Sequence, residues 1–158
     1  MSINDDDIFK MDVLIAKCGY QASQDFVFQK FSQEAMNKDT YGNAEMSAVV
    51  RILDGLYCLK NRNYQMAVLK LIEVILPEFP DEIDVNKYRE GAPGTTLLEI
   101  CTPTDLAYYI CLSALASCSR KELKNTILAH SNFVNLTSVS SDCGLIIEHF
   151  LNGDCKEF

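Results

Sequence analysis

The sequence predicts an all-α fold of about seven helices stacked as antiparallel hairpins, and three observations carry that expectation. Apolar residues recur every three or four positions over most of the chain, no segment alternates apolar with polar residues as a half-buried strand does, and several helical stretches are separated by very few residues. A connection that short cannot carry the chain back to begin a parallel neighbour, so the helices it joins must run antiparallel. The 158 residues are 48% hydrophobic, which supplies one core for a single domain over 1–158 without disulfides or a structural metal. The formal charge of −8, from 14 basic and 22 acidic residues, is opposite to that of a protein that neutralises phosphates, so no nucleic-acid partner is expected.

The compartment follows from similar arithmetic. The longest weakly polar run, Leu106 to Cys118, falls short of the roughly 20 residues a spanning helix needs, so no membrane partner is expected. The first ten residues, MSINDDDIFK, place acids where a secretory leader carries bases. Cys18, Cys58, Cys101, Cys111, Cys118, Cys143 and Cys155 form an odd set with no two-residue spacing, which fits neither a zinc knuckle nor a disulfide framework. Reduced thiols in the cytoplasm, the nucleus or both are expected, with no metal and no cofactor.

Taken in order, the first helix starts at Asp5, Asp6 and Asp7, whose charge suits the positive end of the helix dipole, and Ile8, Met11, Ile15 and Cys18 follow at helical spacing before Gly19. A second helix is expected from about 23 to 37, with Phe28, Phe31 and Ala35 on a stripe that Phe26 widens, before a turn at 38–43. The third, 46–60, keeps Met46, Val49, Val50, Leu53, Leu56, Tyr57 and Leu59 in phase, and the fourth, 63–76, presents Tyr64, Ala67, Val68, Leu71, Ile72 and Ile75 until Pro77 and Pro80 prevent continuation. Residues 77–104 hold all four prolines and form one long irregular loop, a functional segment or a mobile one; Leu97 to Cys101 is its part most suited to packing. Thr104 is the expected cap of a helix over 105–118, and Ser119 with Glu122 forms a capping box that opens a helix over 119–130 with Leu123, Ile127 and Leu128 buried. A last helix over 141–152 carries Leu145, Ile146, Phe150 and Leu151, with Gly153 as its left-handed cap.

One hairpin has a motif. From Gly55, the segment GLYCLKNRNYQMAVLKLIEV places Tyr64 nine, Ala67 twelve, Leu71 sixteen and Val74 nineteen positions on. This resembles the tetratricopeptide hairpin, in which small residues let two helices approach and an aromatic side chain wedges the turn. The repeat is degenerate, with no Trp and with Asp54 in place of its usual Leu. In this register Gly55 and Ala67 are expected to face each other.

The segment 104–158, with its core LAYYICLSALASCSRKELKNTILAHSNF, is similar to the helical-repeat region of a family that includes subunit 1 of the constitutive photomorphogenesis (COP) signalosome and its paralogue in the proteasome regulatory lid. Leu115, Ala116, Arg120, Glu122, Leu123, Ile127, Ser131 and Phe133 carry the likeness, which with the upstream hairpin spans 46–158, and the serine-rich stretch ending in Phe133 leans toward the signalosome branch. The resemblance implies a tetratricopeptide-like α-solenoid and a non-catalytic scaffold whose partners are other helical-repeat PCI-type subunits. The signalosome it implies removes Nedd8 from cullins at a zinc site in a different subunit. Two departures stand out: family members continue into a winged-helix PCI module that nothing after Phe158 could form, so a fragment or truncated member is expected, and the loop 77–103 is longer and more charged than the family pattern.

No residue cluster supports catalysis. His130 and His149 are the only histidines and neither has acidic companions in a metal or triad pattern; both are expected at helix ends or on the surface. Cys111 and Cys118 lie two turns apart on one helix, too far for a disulfide within it, and are expected in the core, as are Tyr108 and Tyr109. The GAPG of 91–94 lacks the Lys and Ser or Thr of a phosphate loop. Three functions remain: a scaffold subunit of a PCI-type complex of the signalosome or the lid, a free-standing helical-repeat adaptor that binds peptides or partner proteins, and a small helical enzyme with a cysteine nucleophile. Two candidate partner surfaces follow. Asp81, Glu82 and Asp84 form an acidic group that is either a contact for a basic partner or a solvated face. Leu145, Phe150 and Phe158 form a C-terminal edge, either docking a partner or a second copy, or packed inward with Phe158 disordered.

Overall fold

The computed structural model describes residues 5–37, 44–75, 100–139 and 141–153. The expected turn at 38–43, most of the loop 77–104, the acidic residues Asp81, Glu82 and Asp84, and Phe158 lie outside the described residues. The helices are α1 (Asp5–Gln21), α2 (Asp25–Asn37), α3 (Ala44–Lys60), α4 (Tyr64–Ile72), α5 (Pro103–Ser117), α6, an α-helical turn Arg120–Glu122 that continues as the π-helical stretch Leu123–Ile127, α7 (Ser131–Val139) and α8 (Ser141–Asn152). Among the described residues there is no strand, and the fold is all-α as expected. It divides into two compact units, one holding α1, α2 and α3 as far as Asp54, the other running from Gly55 through α4 and holding α5 to α8.

In the first unit α1 packs on α2. The expected stripe of α1 is one residue out of phase: Phe9, Asp12, Val13 and Ala16 are buried, whereas Met11 is 50% exposed and Cys18 lies at the surface. The helix carries two apolar stripes, and periodicity cannot choose between them. Phe9 fills the core, and its side follows. Nor does Gly19 end the helix. A Cβ there would stand 2.9 Å from the Phe28 backbone nitrogen and 3.1 Å from Val27 Cγ1, so the glycine allows the start of α2 to approach, and the chain turns instead at Ser23, whose φ is +54°. In α2, Phe28, Ser32 and Ala35 are buried; Phe26, expected to widen that stripe, is 81% exposed.

The α3–α4 turn repeats this device. Arg62 takes φ +58°, its N–H donates to Leu59 O (2.9 Å), and the Asn63 N–H reaches back to Cys58 O (2.9 Å). In the α1–α2 turn, Ser23 N–H donates to Tyr20 O (3.1 Å) and Gln24 N–H to Gly19 O (2.8 Å). These paired bonds satisfy the last carbonyls of the helix through one left-handed residue. Ser23 and Arg62 are thus equivalent positions in a repeat of 39 residues. Asn63 then caps α4, its side-chain oxygen accepting from Met66 N–H at 3.3 Å.

Gly55 does face α4, and the atoms nearest to its missing Cβ belong to Leu71. A Cβ at 55 would lie within the Leu71 side chain, 2.5 Å from Cγ. Helix α4 ends earlier than expected, at Ile72, leaving Ile75 exposed. Its end is satisfied by tertiary structure, because the Asn132 side chain donates to the Ile72 carbonyl at 3.0 Å.

Helix α5 contacts α4, α6, α7 and α8 and buries Leu106, Ala107, Ile110, Cys111, Ser113 and Ala114. Its cap is Thr102, not Thr104. Thr102 Oγ1 accepts from Asp105 N–H (3.1 Å) and Asp105 Oδ2 accepts from Thr102 N–H (3.0 Å), with Pro103 in the first turn. The spacing Thr-Pro-x-Asp was the overlooked signal. The capping box of Ser119 and Glu122 forms as expected, Leu123 and Ile127 are buried, and Leu128 is half-buried. Helix α7 was not anticipated: its β-branched, Ser and Asn residues disfavour helix locally, and burial of Phe133 and Leu136 against the core supplies what propensity lacks. Gly153, φ +77°, follows α8 as the expected left-handed cap.

Two substitutions test this packing. Gly55→Leu should overpack α3 against Leu71 and lower stability by about 1–3 kcal/mol in urea unfolding, and combining it with Leu71→Ala should cost less than the two changes summed. Arg62→Gly should raise stability by about 0.5–1 kcal/mol, because glycine adopts the left-handed conformation without the Cβ penalty.

Candidate interaction surfaces

Two buried thiols are poorly suited to nucleophilic chemistry. Burial, reinforced by neighbouring Cys143, pushes the Cys111 thiol up to about 12, and burial with the nearby Asp105 carboxylate pushes Cys101 up to about 12. Both are held protonated, the reverse of what a thiolate nucleophile requires. Cys111 Sγ lies 3.6 Å from the Cys143 carbonyl in the contact between α5 and α8, so the thiol packs as a small apolar group. Burial, then Cys101 and Asp105, raises Tyr109 in turn. His130 follows α6, with Nε2 3.6 Å from Glu73 Oε1. Together with Asn132 bound to Ile72, it ties the start of α7 to the end of α4. That is a structural joint. Among the described residues, no group of three His, Cys, Asp or Glu side chains comes together as a metal site, and no helix is long and apolar enough to cross a membrane.

The described surface leaves several apolar side chains exposed, among them Phe26, Leu69, Ile75, Leu112 and Leu145. On α8, Cys143 and Ile147 face the core while Leu145 is 50% exposed. Phe150 is half-buried, with the Arg120 guanidinium 5.4 Å from its ring centroid. Leu145 and Phe150, five positions apart on a helix, point about 140° from one another. Only Leu145 stands well into solvent. Asp81, Glu82, Asp84 and Phe158 lie outside the described residues.

A second apolar surface was not singled out from the sequence. Met11, Leu14, Ile15 and Cys18 of α1 join Ala22 and Val27 around an open groove of about 380 Å³ between α1 and the start of α2. Met11 and Leu14 are each about half exposed. Met11, Ile15 and Cys18 were legible at helical spacing with Ile8, and that stripe was read as the core face.

The helices from α2 to α6 are also the part of the chain that a family model recognises: residues 23–126 match that of the 26S proteasome subunit RPN7. The match covers more than half of the chain. The chain belongs to the RPN7 family. It is also 29% identical over 116 residues to the COP9 signalosome complex subunit 1 of Arabidopsis thaliana. That alignment takes in 72% of the chain and 23% of the Arabidopsis protein, so the chain spans about a quarter of the length of this curated relative. The RPN7 match includes the Gly55 hairpin, the Thr102 cap and the Ser119 capping box, and its limits leave out α1, α7 and α8. The RPN7-type helical region therefore contains the contacts that close the α3–α4 and α5–α6 connections. The exposed faces of α1 and α8 lie beyond the matched span.

One titration tests the second connection. Hydrogen bonds from the Ser119 side chain and backbone hold the Glu122 carboxyl below the usual carboxylate range. A depressed carboxylate stabilises the fold at neutral pH, and its contribution is lost as pH falls through the lowered folded value. NMR titration should show Glu122 protonating at lower pH than an exposed glutamate, and Ser119→Ala should move it back up.

Proposed function

We propose that the chain is a non-catalytic scaffold subunit of a PCI-type assembly of the signalosome kind, present in the cytoplasm, the nucleus or both. The observation that carries this reading is the alignment with COP9 signalosome complex subunit 1, which takes in 72% of the chain. The raised Cys101 and Cys111 thiols and the apolar faces of α1 and α8 support it, since such faces favour association over catalysis. In this reading the partners are other helical-repeat subunits, and Leu145 is a contact at the C-terminal edge. A proteasome regulatory lid is the second reading, favoured by the family model itself.

The test is to tag the chain in its native cells, sediment the extract and identify the co-sedimenting subunits by mass spectrometry. Signalosome-type subunits are expected. Lid subunits in their place would select the second reading, and a chain that sediments alone would overturn both. The isolated chain should leave a Nedd8-modified cullin uncleaved. Leu145→Asp should leave the helical circular dichroism unchanged and reduce co-sedimentation, because a half-exposed leucine contributes about 1 kcal/mol or more only when a partner covers it.

A further inference from the structure

Helix α1 has one apolar stripe more than its own hairpin uses. Phe9, Val13 and Ala16 face the core, while Met11, Leu14, Ile15 and Cys18, at helical spacing on another face, line the groove shared with Ala22 and Val27. A monomer's surface helix ordinarily carries one such stripe.

The 39-residue repeat shows what kind of element covers this face. With Ser23 matched to Arg62 as the left-handed turn residues, Met11 corresponds to Val50 and Leu14 to Leu53. Val50 and Leu53 are 0% and 1% exposed, and Asp54 and Tyr57, which correspond to Ile15 and Cys18, are half-buried. At the first two of these positions the repeat is therefore closed over α3 and open over α1. In stacked hairpins, the cover is the helix of a neighbouring hairpin. The hairpin spanning 5–37 carries six acidic and three basic residues, so basic positions beside the apolar stripe of an incoming helix would find complementary charge.

We propose that the α1–α2 groove docks an amphipathic helix with Lys or Arg flanking its apolar stripe, supplied by a neighbouring helical-repeat subunit. The proposal rests on the scaffold reading and assigns a specific surface to it. It needs no chemistry, only removal of Met11, Leu14 and Ile15 from water.

Cys18 makes the groove self-reporting, since its exposed thiol lines the wall. Iodoacetamide labelling of Cys18, read by peptide mass spectrometry, should be compared between the isolated chain and the tagged native assembly, with half-buried Cys58 as an internal reference. Filling the groove at ten times the dissociation constant of its occupant slows labelling about tenfold. Cys18 should be slowed to that degree in the assembly while Cys58 is unchanged. Leu14→Asp should restore the fast rate at Cys18 while the helical circular dichroism is retained. Added salt should also speed labelling if the flank is basic, and protection indifferent to salt overturns that part. An assembly in which Cys18 reacts as fast as in the isolated chain overturns the docking site and leaves the scaffold reading standing. A chain that sediments alone overturns both. Protection that grows with concentration in the purified chain, together with a dimer on sedimentation, replaces the partner subunit with a second copy and also overturns the proposal.

Discussion

A helix of this chain cannot bury its apolar stripe alone, and everything else depends on how closely a three-residue turn can bring the next helix against it. At two places the chain solves this in the same way. One residue turns left-handed, Ser23 or Arg62, and its bonds back into the helix consume carbonyls that would otherwise be orphaned. A glycine then removes the side chain that would hold the helices apart: Gly19 where the Phe28 backbone approaches, and Gly55 where Leu71 fills the missing Cβ position. Neither left-handed position holds a glycine, so the strain there is carried by the packing that follows.

Around α5 the solution changes. Its start is fixed by a reciprocal box between Thr102 and Asp105, and α6 starts with another between Ser119 and Glu122. These boxes stop one helix and begin another with no left-handed residue. The end of α4, by contrast, has no local cap for Ile72 O and uses Asn132, sixty positions away. Helix α7 is thereby tied to α4, and its burial of Phe133 and Leu136 outweighs weak intrinsic helicity. Within α5, Ser113 and Ser117 return their hydroxyls to carbonyls one turn back.

Membership of the RPN7 family fits a molecule whose described parts are packing and surface. Cys111 lies against the Cys143 carbonyl, and His130 pairs with Glu73. Exposed apolar side chains lie both inside the span of the family match, as at Phe26, Leu69, Ile75 and Leu112, and beyond it, as at Leu145 on α8 and the outer stripe of α1.

Helix existence was legible wherever a wide apolar face met a clear stop, as in α3 and α4, and so were the Ser119 box and the Gly153 cap, because these signals act over four residues or fewer. The hairpin motif at Gly55 was legible as a pair of helices brought close, and the structure adds that Leu71 fills the space of the missing Cβ. Which of two stripes on α1 faces inward, whether Phe26 enters the core, and whether the segment after His130 is a helix were decided by tertiary structure. Periodicity gives the angle between side chains on one helix but not the direction of the next helix, and propensity prices a helix in water rather than against a core. The α1 groove is a consequence of that limit. Its residues were visible as an apolar stripe, and only the burial of Phe9 and Val13 on the other side showed that the stripe faces away from the core.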